Sequence, residues 1–493
     1  MPTPDHTAVA SHRNSMIPGI LIRKATVALF GLLVAVWIWV CLCEYISNEW
    51  NAVRLTPTFM WWHGYSPYPG PGEGPVTTWI YGPTTLLFFS PAVLAQNTFN
   101  ALFTAAWLNL ALTLVPLGML MRVLSKQGEI LCSTWAFLLT LAMWPACNLV
   151  FEQADNTAIA ASLLSLALLS GTRSSGRREL WLLAAAGALA LWSKPTELGP
   201  VLGQFAWLAL RHGRTAALRQ VMRMAVAGGI VGIAFIAIFG AEGLVYNTFV
   251  IPSRIPWDNL WMKAIAPIYL PYVVLYVILP VCLLTARWRK SLFMETPEQA
   301  GYWYFLLSLP FNIAGFATIG GNINSLHGCV YILPCLAIAA ARHRAWLPPA
   351  AIILALALQI LPYADKPPSL ASARQSMKQA EQLADACRGE IYFPWNPLIT
   401  FYSEQRFDHT EDGLLTRALT GEEISGEKLH AGLPPHLGYI AYQSGIRHSY
   451  FEERMPRTLA IYYFGGWTLV SADGLLPPVF TTLHDTVSSS HKP

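Results

Sequence analysis

The segment ATVALFGLLVAVWIWVCLCEYI, residues 25–46, is apolar over a length that can cross a bilayer, and it is the first of eleven such segments. The eleven are 25–46, 98–121, 130–150, 157–170, 180–193, 197–210, 220–241, 266–285, 302–319, 326–341 and 346–362. With the N-terminus in the cytoplasm, 17 of the 32 Lys and Arg residues fall on the cytoplasmic side. The loops between segments on the other side hold four: Arg54, Lys194, Arg254 and Lys263. This asymmetry predicts a polytopic, all-α membrane bundle of about 11 transmembrane helices.

Composition supports the same class. Hydrophobic residues make up 54% of the chain and charged residues 12%, which leaves too little polar surface for a soluble protein of this length. The net charge of +4 comes from the cytoplasmic loops, and no basic cluster is interleaved with aromatics, so nucleic acid is not an expected partner. Seven of the eight cysteines lie in or beside predicted spans, so the sequence predicts neither a disulfide framework nor a metal site.

The chain divides into three parts. Residues 1–24 form a polar cytoplasmic tail, and the span that follows is too long for a removable signal. Residues 25–362 form the transmembrane domain. An odd number of spans places residues 363–493 on the external side, where helix-like residues 369–387 and strand-like residues 389–393 and 437–442 predict a small α/β domain. We expect this domain to shape acceptor access or partner contact.

An acidic stretch in the external domain contains residue types that bind metals: Asp408, His409, Glu411 and Asp412. We predict a hydrated loop there rather than a metal site.

The first external loop, residues 47–82, is rich in Pro, Gly and aromatic residues. Its Pro and Gly spacing predicts that it lacks a regular helix, yet its aromatic content is too high for a disordered linker. The aromatics fit either an interfacial belt or a platform on which sugar rings stack. Glu49, at the outer end of the first span, is the candidate proton acceptor. The candidate substrate contacts in this loop are Arg54, His63, Tyr65, Tyr68 and Tyr81.

The loop resembles the GT-C superfamily of polytopic glycosyltransferases that use lipid-linked sugars, in particular bacterial mannosyltransferase-type and aminoarabinose-transferase-type members. The shared features are an acidic residue after the first span, then Gly64-Tyr65-Ser66-Pro67-Tyr68, and then Tyr81-Gly82-Pro83 opening a helix. The family's usual acidic residue is Asp, whereas this chain has Glu49. The resemblance implies a general-base role for Glu49.

Two later breaks at outer boundaries also resemble this family. Glu152, Gln153, Asp155 and Asn156 precede one span, and carboxylates at a membrane boundary are hydrated, paired or functional. At the next outer boundary Lys194 precedes Pro195. A Lys at this place is unusual because the outer loops hold few Lys or Arg residues, and a lipid phosphate is a natural counter-ion for it. An ion pair with Glu197 three residues later is the structural alternative.

The remaining polar breaks supply further candidates for the lipid phosphate. Arg254 and Lys263 lie among indoles in the loop 242–263, where ordinary snorkelling is the alternative explanation. His327 follows the break 320–325, and a satisfied structural histidine is its alternative. Since all these breaks lie at one face, a helical bundle can gather them into one cavity that opens externally.

The implied activity is transfer of a sugar from a polyprenyl-phosphate donor to an acceptor hydroxyl on the external face, with inversion. The acceptor is a glycan, lipid or protein, and the location is a bacterial inner membrane. No cofactor is expected, although the sequence leaves the need for a divalent cation open. No nucleotide-binding motif is present. The alternatives are a flippase or transporter of lipid-linked sugars, and an O-antigen polymerase or ligase. Transporters usually carry internal repeats and breaks at mid-membrane depth, which we do not find here.

Overall fold

The computed structural model describes residues 6–77, 79–125, 129–144, 153–171, 177–257, 298–321, 323–343, 347–360, 369–422, 425–443, 460–464 and 467–471. The helices are α1 (His6–Ser47), α2 (Glu49–Trp62), α3 (Thr84–Phe89), α4 (Thr98–Leu124), α5 (Ile130–Met143), α6 (Gln153–Gly171), α7 (Arg177–Ser193), α8 (Leu198–His212), α9 (Arg214–Phe239), α10 (Ala241–Val245), α11 (Ile251–Arg254), α12 (Glu298–Ala317), α13 (Leu333–His343), α14 (Leu347–Ile360), α15 (Leu370–Ala386), α16 (Pro397–Glu404), α17 (Glu411–Leu419) and α18 (Gly426–Ala431). Short 3-10 helices occupy Ser90–Leu94, Pro195–Glu197 and Ile323–Tyr331, and Tyr246–Val250 is a π-helix.

The apolar segments form helices, which confirms a mostly helical membrane-type fold. Within the described ranges four helices are long and apolar enough to cross a membrane: Lys24–Ser47, Thr98–Leu124, Ala154–Gly171 and Arg214–Phe239. Shorter apolar helices, among them Ile130–Met143 and Pro348–Ile360, coincide with other predicted spans. The predicted span 266–285 lies outside the described residues. The total of eleven spans and the domain boundaries stay predictions.

The first external loop differs from the prediction because it begins with a helix, α2. Asn48 caps this helix by accepting a hydrogen bond from the Trp50 N–H at 3.0 Å. Pro57 lies in the helix interior, where it removes one backbone donor. Every residue from 51 to 60 is buried, and packing of this kind outweighs weak local propensity. The Pro- and Gly-rich part of the loop follows α2 and carries the irregular backbone that the sequence predicts.

The C-terminal part of the chain contains the predicted helix and strands. Helix α15 begins after its cap Ser369, and β1 (Ile391–Tyr392) and β2 (Tyr439–Gln443) match the two strand-like segments. With β3 (Ala460–Phe464) and β4 (Trp467–Ser471) they form one sheet in the order β1-β2-β4-β3, in which only the β1-β2 pair is parallel. The helices of this region share a core with the membrane bundle, since one buried cluster includes Trp37, Leu102, Leu139, Met377 and Phe401.

The acidic stretch of this region is not a hydrated loop, so that prediction is wrong. Asp408, His409, Glu411 and Asp412 are all buried. The reason is tertiary contact: the His409 Nδ1 accepts a hydrogen bond from the Val76 N–H at 2.8 Å, and the Thr410 N–H donates to the Val76 carbonyl at 2.8 Å. Among the residues that the structure describes, no group of three or more acidic, His or Cys side chains could hold a metal ion.

Candidate functional site

Four chain segments place polar side chains at one boundary of the bundle. Helix α6 begins there with Asp155 in its first turn, and α7 ends there just before Lys194. Lys194 is extended because Pro195 follows it, and Pro195 opens the 3-10 turn that ends at Glu197. The 3-10 helix Ile323–Tyr331 adds the fourth segment. The predicted convergence of outer polar breaks is therefore present for these segments.

Lys194 is paired with Asp155 rather than with Glu197. The Lys194 ammonium donates to the Asp155 Oδ1, and the Lys194 and Asp155 side chains are 13% and 0% exposed. The Asn324 amide donates to the other carboxylate oxygen, Oδ2, at 2.8 Å. The carboxylate is thus held between one cation and one neutral donor.

Glu197 belongs to a second buried group, centred on His327. The His327 Nε2 lies 2.5 Å from the Glu197 Oε1, and the His327 Nδ1 lies 3.0 Å from the Asn324 carbonyl oxygen. The other oxygen, Oε2, accepts from the hydroxyls of Ser162 at 2.6 Å and Tyr331 at 2.5 Å. Both ring nitrogens of His327 therefore face oxygen atoms, one of a carboxylate and one of a backbone carbonyl. Both side chains are about 1% exposed or less.

Tyr81 connects this group with the first loop. Its ring centre lies 4.9 Å from the Arg54 Cζ and 5.7 Å from the Lys194 Nζ, so two cations lie near one aromatic ring. Gly82 allows this approach, because its N–H donates to the Ser193 carbonyl at 3.0 Å and a Cβ at position 82 would lie 1.7 Å from the Trp192 carbonyl oxygen. The Tyr81-Gly82-Pro83 motif is therefore what brings the loop against the end of α7.

The other aromatic residues of the loop divide into a buried and an exposed group. Tyr68 is buried, donates to the Tyr81 carbonyl at 2.9 Å and accepts from the Trp79 Nε1 at 3.0 Å. Burial raises the pKa of the Tyr68 phenol, although the Trp79 hydrogen bond lowers it, so the hydroxyl stays a neutral donor. His63 and Tyr65 are exposed and pack against Phe401 and Phe407 of the C-terminal region.

The structure does not describe every predicted site residue. Glu49 is the first residue of α2 and Gln153 the first of α6, but their side chains lie outside the described set, as do Glu152 and Lys263 entirely. Asn156 is buried beside Asp155, and neither of its amide atoms has a hydrogen-bond partner among the described residues. Arg254 ends α11 with an exposed side chain.

A third polar cluster ties the C-terminal region to the first loop. The buried Arg417 donates to the Glu422 Oε2 at 2.7 Å, the Asn247 Oδ1 at 2.8 Å and the Pro69 carbonyl at 3.2 Å. Its Cζ also lies 4.8 Å from the Tyr246 ring centre. Burial raises the pKa of Glu422, but hydrogen bonds from Tyr246, the Gly72 N–H and Arg417 outweigh this and leave it below the usual value.

Sequence reasoning did not nominate Asn324 and Glu197 as site residues. Two signals were available: Asn324 precedes His327 by three residues, one turn of helix, and Glu197 is an acid inside an otherwise apolar run. The sequence does not predict that Lys194 pairs with Asp155, because the two residues lie 39 positions apart in the chain.

No protein-family model and no curated protein sequence matches the chain. Among solved structures, the chain is similar to the crystal structure of ArnT from Cupriavidus metallidurans bound to undecaprenyl phosphate, with a TM-score of 0.55 and 12% identity over 90% of this chain and 98% of that one. A crystal structure of the same protein in the apo state has a TM-score of 0.48 and 14% identity over 92% of this chain and 100% of that one. The first likeness shows a shared fold and agrees with the GT-C-like architecture that the sequence motifs imply.

Proposed function

We propose that this chain is an integral membrane glycosyltransferase that transfers a sugar from a polyprenyl-phosphate donor to an acceptor hydroxyl, with inversion, on the external face. The observation that carries the proposal is the Lys194–Asp155 pair at the boundary where Arg54 also approaches the Tyr81 ring. The ArnT fold supports it, since that protein was crystallised with undecaprenyl phosphate. In a bacterial cell the membrane is the inner membrane, with the N-terminus in the cytoplasm and the C-terminal region in the periplasm.

The phosphate of the donor binds to Lys194. An ammonium on a flexible stem offers three donors to phosphate oxygens, and a charge-assisted contact of this kind is about twice as strong as a neutral one. Arg54 is 8% exposed and lies near the same Tyr81 ring. It adds a second positive charge near the donor phosphate. Arg254 and Lys263 extend the cationic surface along the lipid headgroup, and the prenyl chain lies between apolar helices.

The His327 contribution differs from the sequence-based expectation of a direct phosphate contact. Its two ring nitrogens face the Glu197 carboxylate and the Asn324 carbonyl. We therefore assign His327 the role of positioning these neighbouring groups rather than of contacting the phosphate. The sugar and the acceptor occupy the cleft formed by the first loop, where Tyr81, Asn156 and the α6 terminus supply hydrogen-bonding groups. His63, Tyr65 and Tyr68 shape the outer part of this cleft.

The reaction is one displacement at the anomeric carbon. The acceptor oxygen forms a bond to that carbon while the bond from the carbon to the phosphate oxygen breaks, and Glu49 takes the acceptor's proton. The lipid leaves as a phosphate monoester, whose developing negative charge Lys194 and Arg54 stabilise.

The test is a transfer assay with purified protein and a panel of radiolabelled polyprenyl-phosphate sugars, in wild type and in Glu49→Gln. We expect Glu49→Gln to bind donor but to turn over more slowly by about a hundredfold or more. Glu73→Gln is the matched control, since Glu73 lies in the same loop and accepts from the Gly70 N–H at 2.8 Å. Normal turnover in Glu49→Gln would move the base role to Glu152 or Asp155. Movement of the lipid-linked sugar across vesicles without any transfer would replace the proposal by the transporter alternative.

A further inference from the structure

The pairing of Lys194 with Asp155 raises a question that the proposed function leaves open, because the cation assigned to the phosphate already has a carboxylate on it. We propose that Asp155 is an internal occupant of the phosphate subsite, which the donor phosphate displaces from Lys194 and which returns to Lys194 when the lipid phosphate leaves. The inference rests on the proposed function and adds a residue that sets how tightly the lipid phosphate is held.

Displacement follows from charge and burial. The Asp155 side chain is 0% exposed, so water cannot screen it from a second anion placed on the same ammonium. Two anions in direct contact in such surroundings repel strongly, and the arrangement is relieved when one of them moves away. Lys194 can follow either anion, since its ammonium is a compact charge on a four-carbon stem and its side chain is 13% exposed.

The carboxylate released from Lys194 keeps another partner. The Asn324 amide donates to its Oδ2 at 2.8 Å, and this contact does not involve the lysine. Asp155 therefore keeps the Asn324 donor both when it pairs with Lys194 and when the phosphate has taken its place.

The exchange gives Asp155 a task at the end of the reaction. The product lipid is a phosphate monoester with more negative charge than the donor's diester, so the subsite would hold the product more tightly than the substrate. A carboxylate that competes for the same ammonium weakens the binding of both the donor and the product lipid. It therefore assists release of the product. A competitor that occupies the lysine nine-tenths of the time lowers apparent phosphate affinity by about tenfold.

The experiment measures binding of undecaprenyl phosphate to the purified full chain in detergent, together with its inhibition of transfer. We expect Asp155→Asn to bind undecaprenyl phosphate about tenfold more tightly than wild type and to be inhibited by correspondingly less of it. Asp155→Glu restores the anion and is expected to return affinity toward the wild-type value. Unchanged or weaker binding in Asp155→Asn overturns the inference.

A double-mutant cycle separates competition for Lys194 from general repulsion between Asp155 and the phosphate. In the Lys194→Gln background there is no ammonium to release, so the gain from Asp155→Asn is expected to disappear. A gain that persists there contradicts the competition account. The matched control is Glu129→Gln, which frees Arg342 from a carboxylate 3.1 Å away in another ion pair of the chain and is expected to leave the affinity unchanged.

Two further results keep the test decisive. If Asp155→Asn does not fold, infrared difference spectra of the wild type on adding undecaprenyl phosphate replace it: a shifted carboxylate band is expected, and an unchanged carboxylate region overturns the inference. If wild type and Lys194→Gln bind undecaprenyl phosphate equally or not at all, the proposed function itself fails. Wild-type binding that depends on Lys194 but is insensitive to Asp155 refutes only the inference.

Discussion

Two buried ion pairs of this chain, Lys194–Asp155 and Arg417–Glu422, resemble each other in burial and differ in the partners around the cation. Arg417 donates to a carboxylate, a side-chain amide and a backbone carbonyl, and it covers a tyrosine ring. Lys194 donates to a carboxylate beside the Tyr81 ring, at the end of a helix. An arginine that binds a carboxylate, a side-chain amide and a backbone carbonyl at once holds those segments together, whereas a lysine ammonium on a flexible stem can exchange its carboxylate partner for another anion. The Arg417–Glu422 pair is structural, and the Lys194–Asp155 pair belongs to the proposed phosphate subsite.

The largest expected effect comes from breaking the structural pair. Arg417→Met removes the cation opposite Glu422 and one of the donors to the Pro69 carbonyl, and removing one partner of a buried pair costs about 3–5 kcal/mol. We expect a large fall in thermal unfolding temperature and faster proteolysis of the first loop. Arg388→Met is the control, because the Arg388–Asp385 pair has side chains 65% and 55% exposed and such pairs contribute little. Equal stability in Arg417→Met and wild type would show that this cluster does not hold the loop.

A pH scan sharpens the comparison within the C-terminal region. Burial raises the pKa of Asp408 to about 7, although Arg406 lowers it. Since the unfolded value is about 3.9, the folded state binds the extra proton between these values, and stability falls as pH rises from about 4 to 7. We expect Asp408→Asn to remove this fall, so the variant gains stability relative to wild type as pH increases.

The neighbouring His409 has the opposite effect on the pH dependence of stability. The contribution of Asp408 must therefore be obtained by comparing wild type with Asp408→Asn. Burial lowers the pKa of His409, so its contribution is lost as pH falls below its unfolded value of about 6.5. Subtracting the Asp408→Asn curve from the wild-type curve isolates the aspartate. A difference that does not change with pH would contradict the account of Asp408.

The sequence predicted much of the helical fold because long apolar segments admit few alternatives in a bilayer. It also placed Asp155, Lys194, Tyr81 and Arg54 at one boundary, since each lies at an outer break. It could not predict the pairing, because the nearest acid in sequence to Lys194 is Glu197, and packing of α6 against α7 decides that Asp155 is the partner instead. It also missed α2 and the burial of residues 408–412, which both depend on contacts between the first loop and the distant C-terminal region.

The smallest expected effect concerns Tyr81, whose ring lies beside both cations of the proposed subsite. A cation–π contact is worth about 0.5–2 kcal/mol, so Tyr81→Leu should weaken undecaprenyl phosphate binding by roughly twofold to thirtyfold. Tyr81→Phe keeps the ring and should retain most of the affinity. Identical losses in the two variants would assign the effect to the hydroxyl rather than to the ring.

Binding of undecaprenyl phosphate to purified wild type and Lys194→Gln tests the central claim most directly. Loss of a charge-assisted contact costs about 1.5–3 kcal/mol, so we expect the variant to bind at least about tenfold more weakly while it still unfolds cooperatively. Arg122→Gln, at the opposite end of the bundle in the last turn of α4, controls for net charge and should bind as wild type does. Equal affinity of wild type and folded Lys194→Gln would contradict the assignment of this boundary as a polyprenyl-phosphate site.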